Sequence, residues 1–432
     1  MEYNPADQGS GPFPGYNRRM EVYLVGGAVR DELLGLPVSE KDWCVTGATP
    51  DDLKQLGYRQ VGTDFPVFLH PDNSEEYALA RKERKTAAGY HGFSFETSPD
   101  ISIEADLERR DLTINAMARD ANGDLIDPYN GQADLDARQL RHVSSAFAED
   151  PVRILRVAKF AARFSGLGFR VATETLAMMA DMVANGEVDA LVPDRVWKET
   201  EEALAGPDPQ VFFSVLRECD ALQAVFPEID ALFGVPQPAT WHPEIDCGIH
   251  TLMVLEQAAM LSQHADVRFA ALVHDLGKAA TAKHLLPGHH GHEQRSVELV
   301  NQLAGRLPLP AAFRDLGLLV AEFHGHCHKA FELKPATVLR VLERTDAMRR
   351  PERFEKFLLA CEADSRGRTG FETEPYPQAA YFRACQQAAA KAAAADFDAA
   401  GLSGAEIGAE IHGRRRRAIG AVRTATAQPP KK

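Results

Sequence analysis

The chain reads as an α+β protein: a small mixed-sheet head comes first, and helical domains follow to the C-terminus. Two changes of pattern predict this. From Met20 to about Leu135, short strand-like runs (EVYLVGG, KDWCVTG, FPVFLHP, EEYALAR) alternate with Gly, Pro, Asp and Asn punctuation and close in DLIDPYNG. From Glu149 the period becomes helical. EDPVRILRVAKFAARF, ETLAMMADMVANG and DRVWKETEEALAG place apolar residues on one face, mostly with acidic or proline starts and glycine stops. Residues 247–348 are also helical and hold most of the histidines. Alanine-rich sequence after about Tyr376 leads to Arg414–Arg417 and a Pro/Lys tail. The divisions that follow are a disordered extension over 1–19, a head over 20–145, a helical neck over 146–246, a histidine-rich helical domain over 247–348 and a helical C-terminal region over 349–432. The first segment, MEYNPADQGSGPFPGYNRR, has no period and is rich in Gly, Pro and Asn, which makes Met20 a plausible natural start.

Composition narrows the class. A chain of 432 residues suits roughly two to four domains. No apolar run is long enough to cross a bilayer, and the N-terminus lacks the pattern of a signal peptide. The six cysteines are scattered and form no CxxC pair, which reads as reduced thiols in a cytoplasmic protein. A net charge of −14 argues against an all-over basic coat for nucleic acid. It leaves room for a local basic groove, because steering depends on distribution.

The chemistry begins at LVGGAVRDELLGLPVSEKDW. An apolar strand, Val22–Val25, runs into Gly26 and Gly27 and then a short helix. Glycines without Cβ admit a close ligand, amides at a helix start attract an anion, and Arg30 one turn in offers a bidentate phosphate contact. Glu40 and Asp42 are spaced two apart on the next extended segment, so both point to one face. Two such acids repel unless a cation lies between them, and Mg²⁺ prefers oxygen ligands shared with phosphate. The stretch predicts a phosphate cradle beside a Mg²⁺ site, the parts needed for nucleotidyl transfer. The bland reading is a strand, turn and helix with solvated acids. Glycines, arginine and acid pair together outweigh it.

Further along, Arg109, Arg110 and Asp111 precede an apolar run that reads as a helix, with Asp111 as its cap. Glu76 in EEYALAR is a candidate third metal-side acid, and a solvated strand acid is an equal reading. In EDPVRILRVAK, Asp150, Arg153, Arg156 and Lys159 recur every three residues and form one drifting polar stripe. Ion pairs on a solvated face would explain that stripe in an ordinary helix. A carboxylate also accepts from C N4 or A N6, and an arginine fork donates to ring acceptors. Asp150 with Arg153 therefore suits recognition of C or A against U and G, with Arg156 and Lys159 toward phosphate.

A second constellation lies in the histidine-rich part. His250 in GIHTL, His274 and Asp275 in VRFAALVHDLGK, and Asp364 in EADSRGR give the order H…HD…D. Imidazoles with carboxylates suit Ni²⁺, Mn²⁺, Zn²⁺ or Fe better than Mg²⁺. A metal so held lowers the pKa of bound water and makes a nucleophile for phosphoester cleavage. AEFHGHCH adds His324, His326 and His328, and PGHHGHE adds His289, His290 and His292. A lone histidine is more often structural. Concentrated around His-Asp-Leu-Gly-Lys, these point to metal, with His324 the best further candidate and the others open.

These motifs carry a resemblance. GGAVRD followed by the acid pair resembles the first motif of the class II tRNA nucleotidyltransferases, in the polymerase β superfamily. RRDLTINA (Arg109–Ala116) resembles their second motif, DPYNGQADL (Asp127–Leu135) their third, and EDPVR (Glu149–Arg153) their base-reading motif. With the H…HD…D set of HD phosphohydrolases, the chain from Met20 is similar to the bacterial multifunctional CCA-adding enzymes. The resemblance implies a polymerase β-type head and template-independent addition of CCA to tRNA from CTP and ATP. Glu40 and Asp42 would be catalytic and hold Mg²⁺. Gly27, Arg30, Arg110, Asp150, Arg153, Arg156 and Lys159 would meet the nucleotide, Arg110 at its triphosphate or ribose. His250, His274, Asp275, His324 and Asp364 would form the HD site, with Ni²⁺ or another transition metal and phosphatase, 2′-nucleotidase and 2′,3′-cyclic phosphodiesterase activity. A cytoplasmic monomer or homodimer is implied. Two departures stand out: the first acid is Glu40 where the family has Asp, and position 159 is Lys where Arg is common. The alternatives are a poly(A) polymerase of the same superfamily and a non-catalytic tRNA-binding protein. The complete HD set and the lack of a large basic tail oppose the first, and the intact acid pair opposes the second.

Overall fold

The computed structural model describes residues 20–38, 40–61, 67–85, 93–394 and 403–426. The expected extension over 1–19 and the last residues of the tail lie outside them. The chain divides into two compact units. One runs through Arg195 and takes in Glu218–Ala224, and the other comprises Val196–Arg217 and the chain from Val225 on.

In the first unit, strands β1 (Glu21–Val25), β2 (Asp42–Thr46), β3 (Arg59–Val61), β4 (Val67–Leu69) and β5 (Glu76–Leu79) form where the alternating runs predict them. A separate hairpin, β6 (Arg81–Lys85) and β7 (Phe93–Thr97), follows, and then β8 (Ala118–Arg119) and β9 (Leu125–Ile126). The main sheet has the order β3-β4-β5-β2-β1-β8-β9 and is mixed, because β2 and β5 run parallel while β1 pairs antiparallel with β2 and β8. Period-two alternation gives it two buried faces. Tyr23, Val25 and Cys44 pack with Ile103 and Leu107 of α3 (Ile103–Glu108), while Val45, Phe68, Tyr77 and Leu79 pack with Leu53 of α2 (Pro50–Gln55). Between β1 and β2 lies α1 (Gly27–Leu33). The apolar run after Asp111 is no α-helix. Thr113 bonds Asp134 at 2.7 Å and Asn115 bonds Asp111 at 2.9 Å, which leaves a three-residue 3-10 turn, Thr113–Asn115, before β8.

After α4 (Gly131–Ala137), the strands β10 (Gln139–Leu140) and β11 (Arg170–Val171) pair in parallel across the long helix α5 (Val152–Phe164). The helices α6 (Thr173–Ala184) and α7 (Pro193–Ala205) then appear as their periodicity predicts. Next come α8 (Pro209–Glu218), α9 (Ala221–Val225), most of which belongs to the first unit, and α10 (Pro227–Asp230), and then, in the second unit, the histidine-bearing helices α11 (Cys247–Leu261), α12 (Ala265–Val273), α13 (His292–Arg306) and α14 (Ala311–His328). They are followed by α15 (Pro335–Arg344), α16 (Pro351–Arg366), α17 (Pro377–Ala394) and α18 (Gly404–Thr426). Leu316, Val320, Leu342, Phe357, Leu358 and Phe382 belong to the core that α14–α17 share.

Arg268 on α12 is almost fully buried, and backbone carbonyls satisfy its guanidinium. It donates to the carbonyls of Ser262 (2.9 Å), Leu204 (2.7 Å), Gly206 (2.6 Å) and Ala259 (3.2 Å). Arg268 thereby ties the helix that ends in His274 to the end of α7. Arg268→Met keeps much of the stem and removes every donor, leaving these carbonyls short of partners. The unfolding free energy of the second unit should fall by about 2–4 kcal/mol in a denaturant titration, and an unchanged midpoint would refute the tie.

Candidate active sites

At the head, Gly26 has a φ of 70° and closes the turn from β1 to α1. That left-handed φ favours glycine, and a Cβ there would also lie 2.7 Å from the movable end of Arg110, at Nη1. Arg110 bonds Asp106 Oδ2 at 3.3 Å and the Asn115 carbonyl at 3.4 Å, while its buried Nε makes no hydrogen bond. Burial opposes ionisation of Asp106, and Arg109 and Arg110 outweigh it and hold this carboxyl below the usual range.

Asp42 opens β2, and Glu40 lies just before it. Both are exposed. The register pairs Asp42 with Glu76 on β5, so these two acids share one face of the sheet. Although Asp42 reaches solvent, the protein around it removes part of its hydration and raises its carboxyl above the ordinary range, the Glu40 charge adds to the rise, and Arg110 opposes both. Oxygens crowded in this way suit a hard divalent cation.

Arg30 corrects the sequence reading. It is 3% exposed, donates to Asp31 Oδ1 at 2.7 Å and Asn115 Oδ1 at 2.5 Å, and lies over the rings of Phe160 and Phe164. A buried guanidinium needs such partners, so its donors face inward and pack on Gly27, whose Cβ would be 3.4 Å from Nη2. Arg156 places Nε 2.8 Å from Asp111 Oδ2, while its side chain stays 39% exposed. Asp111 also accepts from Leu112 N and Asn115 Nδ2. Its burial opposes ionisation, but Arg156 and Asn115 outweigh it and keep the carboxyl well below the ordinary range. Further along α5, Arg163 bonds Asp31 at 2.9 Å, and Lys159 Nζ lies 5.9 Å from the Phe160 centroid.

Asp150 and Arg153 are adjacent, but their side chains bond elsewhere. Asp150 Oδ1 caps α5 through Val152 N at 3.0 Å, and both of its oxygens receive the fork of Arg195, at 3.2 and 2.9 Å. Buried Arg153 donates to the carbonyls of Ala146 (2.7 Å) and Arg109 (2.5 Å). Sequence reasoning missed Arg195, because DRVWKE carries no sign of the acid that lies 45 residues before it.

The second site is built round Asp275. His274 Nε2 lies 3.0 Å from Asp275 Oδ2 and 3.6 Å from Asp364 Oδ1, and His250 Nε2 is 3.2 Å from Asp364 Oδ1. On the other side of Asp275, Oδ1 faces His292 Nε2 at 3.1 Å and His324 Nε2 at 3.5 Å. Two donor sets, His250/His274/Asp275 and Asp275/His292/His324, thus share one carboxylate. Lys278 bonds Asp275 Oδ2 at 2.6 Å and Gln237 at 2.8 Å, His328 bonds Asp364 at 2.6 Å, and Tyr376 OH meets His328 Nδ1 at 3.0 Å.

Tautomers decide what this cluster can hold. His250, His274, His292 and His324 each place Nδ1 2.7–3.0 Å from a backbone carbonyl, of Gly367, Ala271, His289 and Val320 respectively. A carbonyl only accepts, so Nδ1 carries the proton, and in the neutral ring the Nε2 lone pair faces the carboxylates. Lone pair against carboxylate is repulsive unless a cation lies between them. Buried His274 Nε2 and Asp275 Oδ1 accordingly make no hydrogen bond. Burial alone would lower His274, but Asp275 and Asp364 outweigh it and lift it to about 10. Burial takes His324 down to about 3, which keeps it a neutral donor. The donor chemistry fits a transition metal.

The expected His250, His274, Asp275, His324 and Asp364 are therefore brought together. His292 and His328 join them, while His289 bonds Thr281 and the Pro236 carbonyl, His326 bonds Arg340, and His290 is exposed. His324 and His328 are four apart on α14 and share a face, a spacing that separates them from His326. Also unforeseen were His242 and Glu244, whose Oε1 is 3.0 Å from His250 Nδ1. With Glu244 before 247 and Asp364 after 348, the site draws on residues either side of the expected histidine-rich domain.

A polymerase-type nucleotidyltransferase head followed by a histidine–aspartate phosphohydrolase domain is the class that these two sites define. Residues 22–141 match the family described as "Poly A polymerase head domain", 168–233 match "Probable RNA and SrmB- binding site of polymerase A", and 248–352 match "HD domain". The Multifunctional CCA protein of Thioalkalivibrio sulfidiphilus is 65% identical over 93% of this chain and 98% of its own length. That of Teredinibacter turnerae is 57% identical over 94% and 99%. The chain belongs to the multifunctional CCA protein family. Two solved structures share its fold. A CCA-adding enzyme in complex with ATP covers 96% of this chain and 91% of its own (18% identity, TM-score 0.63), and the Thermotoga maritima CCA-adding enzyme complexed with tRNA-CCA covers 94% and 91% (17%, TM-score 0.60).

Gly277 offers a test of the Asp275 cluster. A Cβ there would meet His292 O at 2.2 Å and Ser296 N at 2.5 Å, backbone atoms that cannot swing aside. Gly277→Ala should push the start of α13 away and take His292 from Asp275. Ni²⁺ affinity, measured by calorimetric titration of the full chain, should fall about tenfold to a hundredfold, and an unaltered affinity would remove His292 from the donor set.

Proposed function

We propose that this chain adds C, C and A to tRNA 3′ ends from CTP and ATP at the head, and hydrolyses phosphoesters at the Asp275 cluster. The observation that carries this is two donor sets of different chemistry in two compact units: exposed carboxylates beside a glycine turn, and buried imidazoles round a shared aspartate. The names of the relatives and solved neighbours support it. The complete histidine set disfavours a poly(A) polymerase. Among the described residues no helix is long and apolar enough to cross a membrane, in keeping with action on tRNA in the cytoplasm.

At the head, Glu40 and Asp42 would hold Mg²⁺, with Glu76 in register beside Asp42. When bound, Mg²⁺ supplies charge neutralisation at the phosphates and polarises the tRNA 3′-OH. Arg110, whose charge also acts on Asp42, faces the triphosphate. Asp150 selects the base. Arg195 and Val152 N fix the plane of its carboxylate and use three of about four acceptor positions, which leaves one for the exocyclic amine of C or A. Arg30, Arg153 and Arg156 position α5 and the turn.

At the second site His250, His274, Asp275, His292, His324 and Asp364 would hold Ni²⁺ or another transition metal. When bound, that metal supplies an activated water for phosphatase, 2′-nucleotidase and 2′,3′-cyclic phosphodiesterase chemistry. The backbone carbonyls that fix each Nδ1 orient the imidazoles, and Lys278 neutralises part of Asp275.

Asp42→Ala should abolish nucleotide addition to tRNA lacking CCA and leave phosphoester hydrolysis in place, and Asp275→Ala should do the reverse. Loss of both activities in one folded variant would refute two independent sites. Asp150→Ala should raise misincorporation of UTP and GTP about tenfold to a hundredfold, the worth of one good base contact. The measurement is kcat/KM for all four nucleotides, and a proportional fall in all four would make Asp150 a cap of α5 and nothing more.

A further inference from the structure

Four exposed apolar side chains lie in the chain segments that also carry residues of the Asp275 cluster or their neighbours, and metal binding does not use them. Trp241 is 66% exposed, Ile245 50% and Ile249 48%, with Phe371 at 37%. All four come from the segments that supply the cluster. Trp241 directly precedes His242, whose ring packs 4.6 Å from that of His250. Ile245 follows Glu244, and Phe371 lies four residues after Gly367, whose carbonyl is 3.0 Å from His250 Nδ1.

The segment around Trp241 is rigid. Trp241 N and His242 N both donate to the Pro238 carbonyl at 3.0 Å, and Gln237 N donates to Ile245 O at 2.7 Å. Asp246 caps α11 through Ile249 N and also accepts from Gly234 N. Ile245 is held at a φ of 62°, a conformation that a β-branched residue adopts only when its surroundings impose it. Arg368 bonds the Trp241 carbonyl at 3.4 Å and the Ser365 carbonyl at 2.8 Å, and its guanidinium lies 4.3 Å from the Phe371 centroid. An indole left in solvent on so fixed a loop, one residue from the histidine whose ring packs on His250, is a preorganised flat surface. A phosphate has no use for such a surface, whereas a nucleobase does.

Resting on the phosphoesterase reading, we propose that Trp241 is the base platform of this site. It stacks on the nucleobase of a ribonucleotide whose 2′-phosphate or 2′,3′-cyclic phosphate lies at the Asp275 cluster, and Arg368 and Phe371 complete the platform. Stacking accepts any base, so the site recognises a nucleoside ester without reading its sequence. The nucleotide can be free or the last residue of an RNA.

The test compares hydrolysis of 2′,3′-cyclic AMP, a trinucleotide ending in a 2′,3′-cyclic phosphate, and ribose 2′,3′-cyclic phosphate, which has no base, by the Ni²⁺-loaded full chain. The wild type should favour the nucleotides at least about tenfold in kcat/KM, through KM. Trp241→Ala should bring that preference toward unity and Trp241→Phe should keep most of it. The two nucleotide arms tell a free nucleotide from an RNA end. Equal rates with and without a base, or a preference that survives Trp241→Ala, would overturn the proposal. If the wild type hydrolyses none of the three, the phosphoesterase reading falls instead, and binding still decides the stacking. Of the three tryptophans Trp197 is buried and Trp43 is stacked on Tyr77. Saturable quenching by 2′-AMP that vanishes in Trp241→Phe supports the platform, and its absence in the wild type overturns it.

Discussion

The first unit depends on one buried carboxylate. Asp111 has almost no contact with water, and an ion so placed is tolerable only when fully paired. Its partners start a closed circuit: Arg156 to Asp111, Asp111 to Asn115, Asn115 to Arg30, Arg30 to Asp31, and Asp31 to Arg163, back on the helix where it began. Three stretches far apart in the chain, GGAVRD, RRDLTINA and the helix after EDPVR, are fastened to one another by this ring. Several residues that look made for a nucleotide therefore face inward. What stays in contact with solvent at the head includes Glu40 and Asp42, and Arg156 keeps part of its side chain there.

The Asp275 cluster obeys the same electrostatic rule with the opposite outcome. Its acids are as deeply buried as Asp111, but they face imidazole nitrogens whose protons lie on the far side of the ring. Lys278 is the one permanent cation bonded to Asp275 among the described residues. A network compensated by its own arginines is architecture. One left short of positive charge, with its lone pairs aimed inward, is a receptor for a cation. The difference lies in which neighbours hold the protons and is invisible in the number of charged residues.

Much of this was legible in the chain. The alternating runs gave the strands, the change of period at Glu149 gave α5–α7, and the motifs located the acid pair and the H…HD…D set. Periodicity reports which residues share a face and is silent about what lies across from that face. The stripe Asp150, Arg153, Arg156 was visible for that reason, while the inward bonds of Arg153 and Arg156 and the hold of Arg195 on Asp150 were not. The expected helix after Asp111 failed because Thr113 and Asn115 found partners in Asp134 and Asp111, and side-chain bonds of that kind compete with helical ones. His328 could have been found from its four-residue spacing to His324. Glu244 could not, since its reach to His250 depends on the left-handed backbone at Ile245.

The ring that closes on Arg163 also bears on how the protein comes into being. All seven strands of the main sheet have left the ribosome once Ile126 has emerged, yet the cation that neutralises Asp111 is Arg156, and the bond from Arg163 to Asp31 spans 132 residues. A fragment ending near residue 145, where the change in sequence character suggests a boundary, has the sheet complete and lacks the guanidinium that bonds Asp111. Such a nascent head holds Asp111 without its ion-pair partner until the next helix is synthesised. Its smallest self-sufficient folding unit is therefore longer than its smallest recognisable domain.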